Sequence, residues 1–190
     1  LMTDEEKNEN IKKNFASVKD DFKKLIKDFV NDLLITFPEL EDRLDKTLIN
    51  KDVSDEALFK YYNHISSQFP LRFFDILYKN EALFEKKEEP LFLLPNVDFY
   101  LLWDCNITDK TRDTIWKYLQ LILFMVTKNS NNADMFGDTA KLFEAINPEE
   151  LKEKLESTMK DMESFFDLSN VDGTDISGGK FDKEDLPDPE

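Results

Sequence analysis

The chain has 190 residues, of which 41% are hydrophobic and 13% aromatic, including 17 phenylalanines. That is too apolar for a disordered chain, and it suffices for one domain with a substantial core. Acids outnumber bases 41 to 25, a formal net charge of −16. Such a field repels nucleic-acid phosphates and anionic lipid and attracts cationic partners.

Cys105 is the only cysteine, so no intramolecular disulfide can form. The first ten residues carry Asp4, Glu5, Glu6 and Glu9 without the apolar run of a signal peptide. The longest apolar stretch, Leu121 to Val126, is six residues, against the ~20 that span a bilayer. The expectation is an intracellular protein that binds neither nucleic acid directly nor membrane. All four glycines come late, at Gly137, Gly173, Gly178 and Gly179. Hairpins and phosphate loops draw on glycine for positive φ, so the body should be helices joined by Pro, Asn and Asp loops.

The spacing of Ile11, Phe15, Val18, Phe22, Leu25 and Phe29 predicts a helix from about Asp4 to Thr36. Its stripe widens through Val30, Leu33, Leu34 and Phe37, and Pro38 stops it. A short helix through Leu44 and Leu48 follows. Ser54 with Asp55 and Glu56 marks the next start, with Leu58, Tyr61, Tyr62 and Ile65 facing inward. Pro70 opens another short helix bearing Phe73, Phe74, Leu77 and Tyr78. Residues 85–90 are a charged loop, and a short helix is expected from about Asn96.

Thr108 caps a helix over about residues 109–128. Only Lys117 and Gln120 are polar between residues 115 and 126, which predicts a central helix with the bundle built around it. Asn129 to Asn132 reads as a surface loop, Asp138 to Ala145 as a short helix. Asn147, Pro148 and Glu150 start a last helix with a stripe of Leu151, Leu155, Met159, Met162 and Phe166. The fold class is therefore all-α, an irregular multi-helix bundle with a long N-terminal helix. The bundle domain is 1–167, and 168–190 is an acidic, disordered tail. Residues 161–190 hold ten acids against two lysines, a net of −8. The end at Pro187-Asp188-Pro189-Glu190 reads as an interruption of a longer chain.

Chemistry-bearing groups are sparse. His64 is the only histidine, and Ser–His–Asp or Cys–His catalysis would have to pass through it. Cys105, in Trp103-Asp104-Cys105-Asn106, has no glycine elbow and reads as a small buried thiol. One cysteine and one histidine do not make a zinc site. Tyr61, three residues before His64, breaks the Glu-x-x-His pattern of di-iron bundles. Aligning Gly173 with the obligatory glycine of a calcium loop puts Leu168 at its first ligand position, and the match fails. No catalytic, cofactor-binding or metal residue is expected, and no cofactor. What remains are surfaces. Phe73 and Phe74, with the block Phe99 to Trp103, hold more contiguous apolar residues than one face of a short helix can bury. Phe73, Phe74, Phe99, Tyr100 and Trp103 are the expected partner contacts.

Three segments carry a resemblance. They are Phe69-Pro70-Leu71-Arg72-Phe73-Phe74-Asp75-Ile76-Leu77-Tyr78-Lys79-Asn80, Leu94-Pro95-Asn96-Val97-Asp98-Phe99, and Thr111-Arg112-Asp113-Thr114-Ile115-Trp116-Lys117-Tyr118-Leu119-Gln120-Leu121-Ile122-Leu123-Phe124. Together they resemble an uncharacterised protein family of nucleocytoplasmic large DNA viruses, the mimivirus-like and phycodnavirus-like giant viruses, over most of residues 20 to 170. The resemblance brings no activity motif. It implies a viral protein made in an infected eukaryotic cell, in the cytoplasm, the viral factory or the virion, from a family whose members continue past residue 190. The expected function is a non-catalytic protein–protein interaction module, binding a host or viral partner through an aromatic surface ringed by acids. The alternatives are an acidic chaperone or decoy for basic nucleic-acid-binding proteins such as histones, and a structural virion component. Oligomeric state stays open.

Overall fold

The computed structural model describes residues 3–104, 106–127 and 148–169. Six α-helices lie among them: α1 (Asp4–Thr36), α2 (Asp55–Gln68), α3 (Phe73–Leu77), α4 (Phe99–Asp104), α5 (Asp109–Thr127) and α6 (Pro148–Ser169). Short 3-10 turns at Pro38–Asp42 and Lys46–Ile49 replace the single short helix expected after Pro38. Among the described residues the fold is all-α apart from one two-stranded sheet. The expected Asn129–Asn132 loop, the Asp138–Ala145 helix, Cys105 and most of the tail lie outside the described residues. Helix α6 itself continues two residues beyond the expected boundary at 167.

The long helix forms as its pattern demands. Thr3 caps α1 by accepting from the Glu6 amide at 3.1 Å, and Asp4, Glu5 and Glu6 sit at the positive helix end. Its buried stripe runs through Phe15, Val18, Phe22, Leu25, Ile26, Phe29, Val30 and Leu33. Aromatic edges join α1 to α2. Phe22 meets Tyr62 at 5.1 Å between ring centroids, and Phe15 meets Phe59 at 5.2 Å. Helix α5 packs against α1, α2, α3 and α6, and its side chains are buried nearly all round. Phe29 of α1 stacks on Tyr118 of α5 at 4.7 Å.

The stretch before α4 departs from the expected helix. Phe92–Leu94 (β1) pairs antiparallel with Val97–Asp98 (β2), and α4 begins only at Phe99. The turn is Pro95-Asn96, with Asn96 at φ 66°. Proline fixes φ at the first central position and asparagine tolerates the left-handed region at the second, so a hairpin forms without glycine. Asp98 then caps α4, accepting from the Tyr100 amide and from the Leu91 amide, both at 3.0 Å. On α6 the buried stripe also differs. Met162 is buried and Leu155 partly buried as expected, but Met159 is exposed, and Thr158 and Phe165 are buried beside it.

Three predictions test this architecture. Lys79 ends α3 at φ 53°, a conformation costing about 1–2 kcal/mol for a residue with a Cβ. Glycine forfeits about 0.5–1 kcal/mol of backbone entropy instead, so Lys79→Gly should raise stability by about 0.5 kcal/mol in urea denaturation. Asn96→Val should lower it by about 1–2 kcal/mol; a neutral valine would refute the turn. Burial pushes the Tyr62 phenol up to about 12 from 10.0. The unfolded phenol then ionises at lower pH than the folded one, so the contribution of Tyr62 to stability is constant below pH 10.0 and falls as pH approaches 12. The loss through that window is about 3 kcal/mol. Tyr62→Phe should flatten it in alkaline denaturation, and an unchanged slope would show that the phenol is not withdrawn from water.

Candidate functional site

The aromatic contact set expected from sequence is spent inside the molecule. Phe73, Phe99 and Tyr100 are buried, and Phe74 and Trp103 are half-buried against the core. Tyr100 is buried, and each of the other four rings finds an internal partner. Phe73 and Phe74 meet edge to face at 5.1 Å, and Phe99 packs on Phe29 at 6.3 Å. Trp103 stacks on Phe84 at 3.9 Å and meets the Trp116 edge at 5.5 Å, and the Arg112 guanidinium lies over its ring at 5.5 Å. These residues do not form an exposed aromatic surface.

The surplus of apolar residues exists, but different side chains carry it. In α4 the helical phase turns Phe99, Tyr100 and Leu102 inward and leaves Leu101 56% exposed. Leu71, inside the 3-10 turn Pro70–Arg72, is 60% exposed, and Phe92 on β1 is 38% exposed. The elements that bear these three are linked through α2 and the start of α4. Strand β1 packs along α2, where the His64 ring donates from Nε2 to the Phe92 carbonyl at 2.6 Å. The bond fixes the ring's role as a latch between helix and hairpin. Arg72 lies close enough to Tyr100 for the phenol to be felt at its guanidinium, which brings the 70–72 turn to the start of α4. Leu71, Phe92, Leu101, Arg72 and His64 are the residues of the candidate site. The sequence signal for Leu101 was present in the over-long apolar block; Leu71 and Phe92 had none beyond hydrophobicity.

Two buried polar contacts hold the frame behind this site. The Gln120 amide donates to the Leu77 and Ile76 carbonyls at 2.9 and 3.3 Å, covering the exposed end of α3. The Tyr118 hydroxyl donates to Asp32 at 2.5 Å within the core. A backbone contact completes the α2 side, where Tyr61 accepts from the Asp45 amide at 3.1 Å and burial raises its phenol. Among the described residues no three His, Cys, Asp or Glu side chains converge as metal ligands. No helix among them is long and apolar enough to cross a membrane.

Tyr118→Phe deletes a hydrogen bond to a carboxylate that is 1% exposed, and should cost about 1.5–3 kcal/mol in urea denaturation. A loss no larger than that of a surface Tyr→Phe substitution would show that the bond carries no stability.

In comparisons with protein-family models, curated proteins and solved structures, the chain has no match.

Proposed function

We propose that the chain is a non-catalytic protein–protein interaction module of a giant DNA virus, docking a protein partner through the Leu71, Phe92 and Leu101 corner. The observation that carries this is the exposure of three large apolar side chains there, while the other aromatic rings among the described residues are buried or half-buried against the core. Leaving Leu71 and Leu101 more than half exposed costs the free chain apolar burial that a partner recovers. The viral setting is supported by the three-segment resemblance. Affinity purification from infected cells with the wild type and a Leu71→Ser/Leu101→Ser pair tests it. The expected result is loss of partners from the variant, with circular dichroism and melting unchanged. An identical partner set on both baits sinks the corner as the docking face.

A second reading has its own support. Asp32 is the only carboxylate among the described residues that is fully buried, so the acidic excess is displayed at the surface, as in an acidic chaperone or decoy for basic proteins such as histones. Salt separates the two. Binding driven by charge should weaken more than tenfold between ~0.1 and ~0.5 M salt, while apolar docking should hold. Core histones titrated against the chain in that series give the answer, and binding that ignores salt removes the chaperone reading.

A further inference from the structure

Arg72 is anomalous in a chain with 41 acids. Its guanidinium is half-buried, and burial lowers its pKa from the ordinary arginine value. Taking a charge partly out of water favours a carboxylate partner. Yet among the described residues no carboxylate lies within ion-pair distance of it. The Asp75 charge is felt at the guanidinium only from farther off, and one Asp75 oxygen accepts from the Asn80 side-chain amide at 3.0 Å. Arg72 is instead held by its neighbour one turn back: Nη1 donates to the Gln68 carbonyl at 3.0 Å and to Gln68 Oε1 at 3.1 Å. That anchors one edge of the planar group. The Nε–Nη2 edge takes no acceptor from the described residues, and neither atom is enclosed. That edge is the fork that grips a carboxylate with two parallel hydrogen bonds. Leu71 is its neighbour in the turn, and Leu101 follows Tyr100 on α4.

Resting on the docking reading above, we infer that Arg72 selects the partner: the corner takes a segment of a partner protein in which one side-chain carboxylate sits between apolar residues. The carboxylate closes the fork of Arg72, and the flanking apolar side chains cover Leu71 and Leu101. The anchored guanidinium loses little rotamer freedom on binding, so the contact discriminates strongly.

The test uses the full chain and two synthetic peptides with identical leucine and phenylalanine anchors and lysine ends, one with central Glu and one with central Gln. Fluorescence anisotropy should show the wild type preferring the Glu peptide by roughly tenfold. Arg72→Gln should bind both alike. Arg72→Lys keeps the charge without the fork and should lose most of the preference; it carries the test if Arg72→Gln misfolds by circular dichroism. Equal binding or no binding by the wild type overturns the inference, as does a preference that survives both substitutions. The Leu71→Ser/Leu101→Ser pair separates the two levels. If it abolishes both peptides while preference is independent of Arg72, the carboxylate inference fails and the docking corner stands. If it changes neither peptide, the corner itself fails.

Discussion

A helix buried nearly all round must find partners for the polar atoms on its buried faces, and α5 carries two groups that decide how the bundle is assembled. Apolar packing is non-directional, so the many buried side chains of α5 would tolerate several rotations of the helix almost equally well. The Tyr118 hydroxyl and the Gln120 amide would not. In the observed rotation the hydroxyl reaches Asp32 of α1, and the amide reaches the last carbonyls of α3. Rotate α5 by one residue and both groups, together with the Asp32 carboxylate, lose those partners inside the core. The cost of an unsatisfied buried group exceeds the small packing differences between rotations.

That constraint extends to the corner. Helix α3 has only five residues, too few to be stable alone. It is held by Phe73, Ile76 and Leu77 in the core and by Gln120 on its carbonyl end. The turn bearing Leu71 and Arg72 runs directly into α3, so its position is inherited from α5. From the other side, His64 clasps the hairpin to α2, and Asp98 joins the hairpin to the first turn of α4. Exposed groups mounted on elements fixed in this way can present one geometry to a partner, and little ordering entropy is lost on contact.

How much of this the sequence disclosed depends on which physical rule governed each segment. The boundaries of α1 and the caps at Ser54 and Thr108 were legible, because periodicity and hydroxyl capping are local. The hairpin was not. The absence of early glycine argues for helices over hairpins, but Asn96 reaches positive φ and Pro95 presets the turn. The block Phe99 to Trp103 was correctly seen as too apolar for one helix face, yet size misdirected the choice within it. Large rings gain most from burial, and a smaller leucine is what the helical phase leaves outside. On α6 the same weighting favoured Met159 over Thr158. The threonine satisfies its hydroxyl on the Lys154 carbonyl at 2.9 Å and is buried, while the methionine stays out. Arg72 has no local signal, because its burial and its approach to Tyr100 come from packing between segments distant in sequence.

Charge acts on two length scales here, and they need not agree. Beyond about 8 Å, the screening distance at physiological salt, a partner meets the summed field of −16, which favours approach by cationic surfaces. At contact that sum is irrelevant, and the nearest unpaired group decides. On the proposed reading that group is a guanidinium, so a partner segment would satisfy two opposite conditions, basic at its ends and carboxylate-bearing at its centre. An anionic segment would be repelled before reaching Arg72, and a uniformly basic one would arrive and find a like charge. Two weak filters of opposite sign reject more competitors than one strong filter of either sign. On that reading, an acidic protein gains selectivity by leaving one edge of a guanidinium without a carboxylate of its own in hydrogen-bond reach.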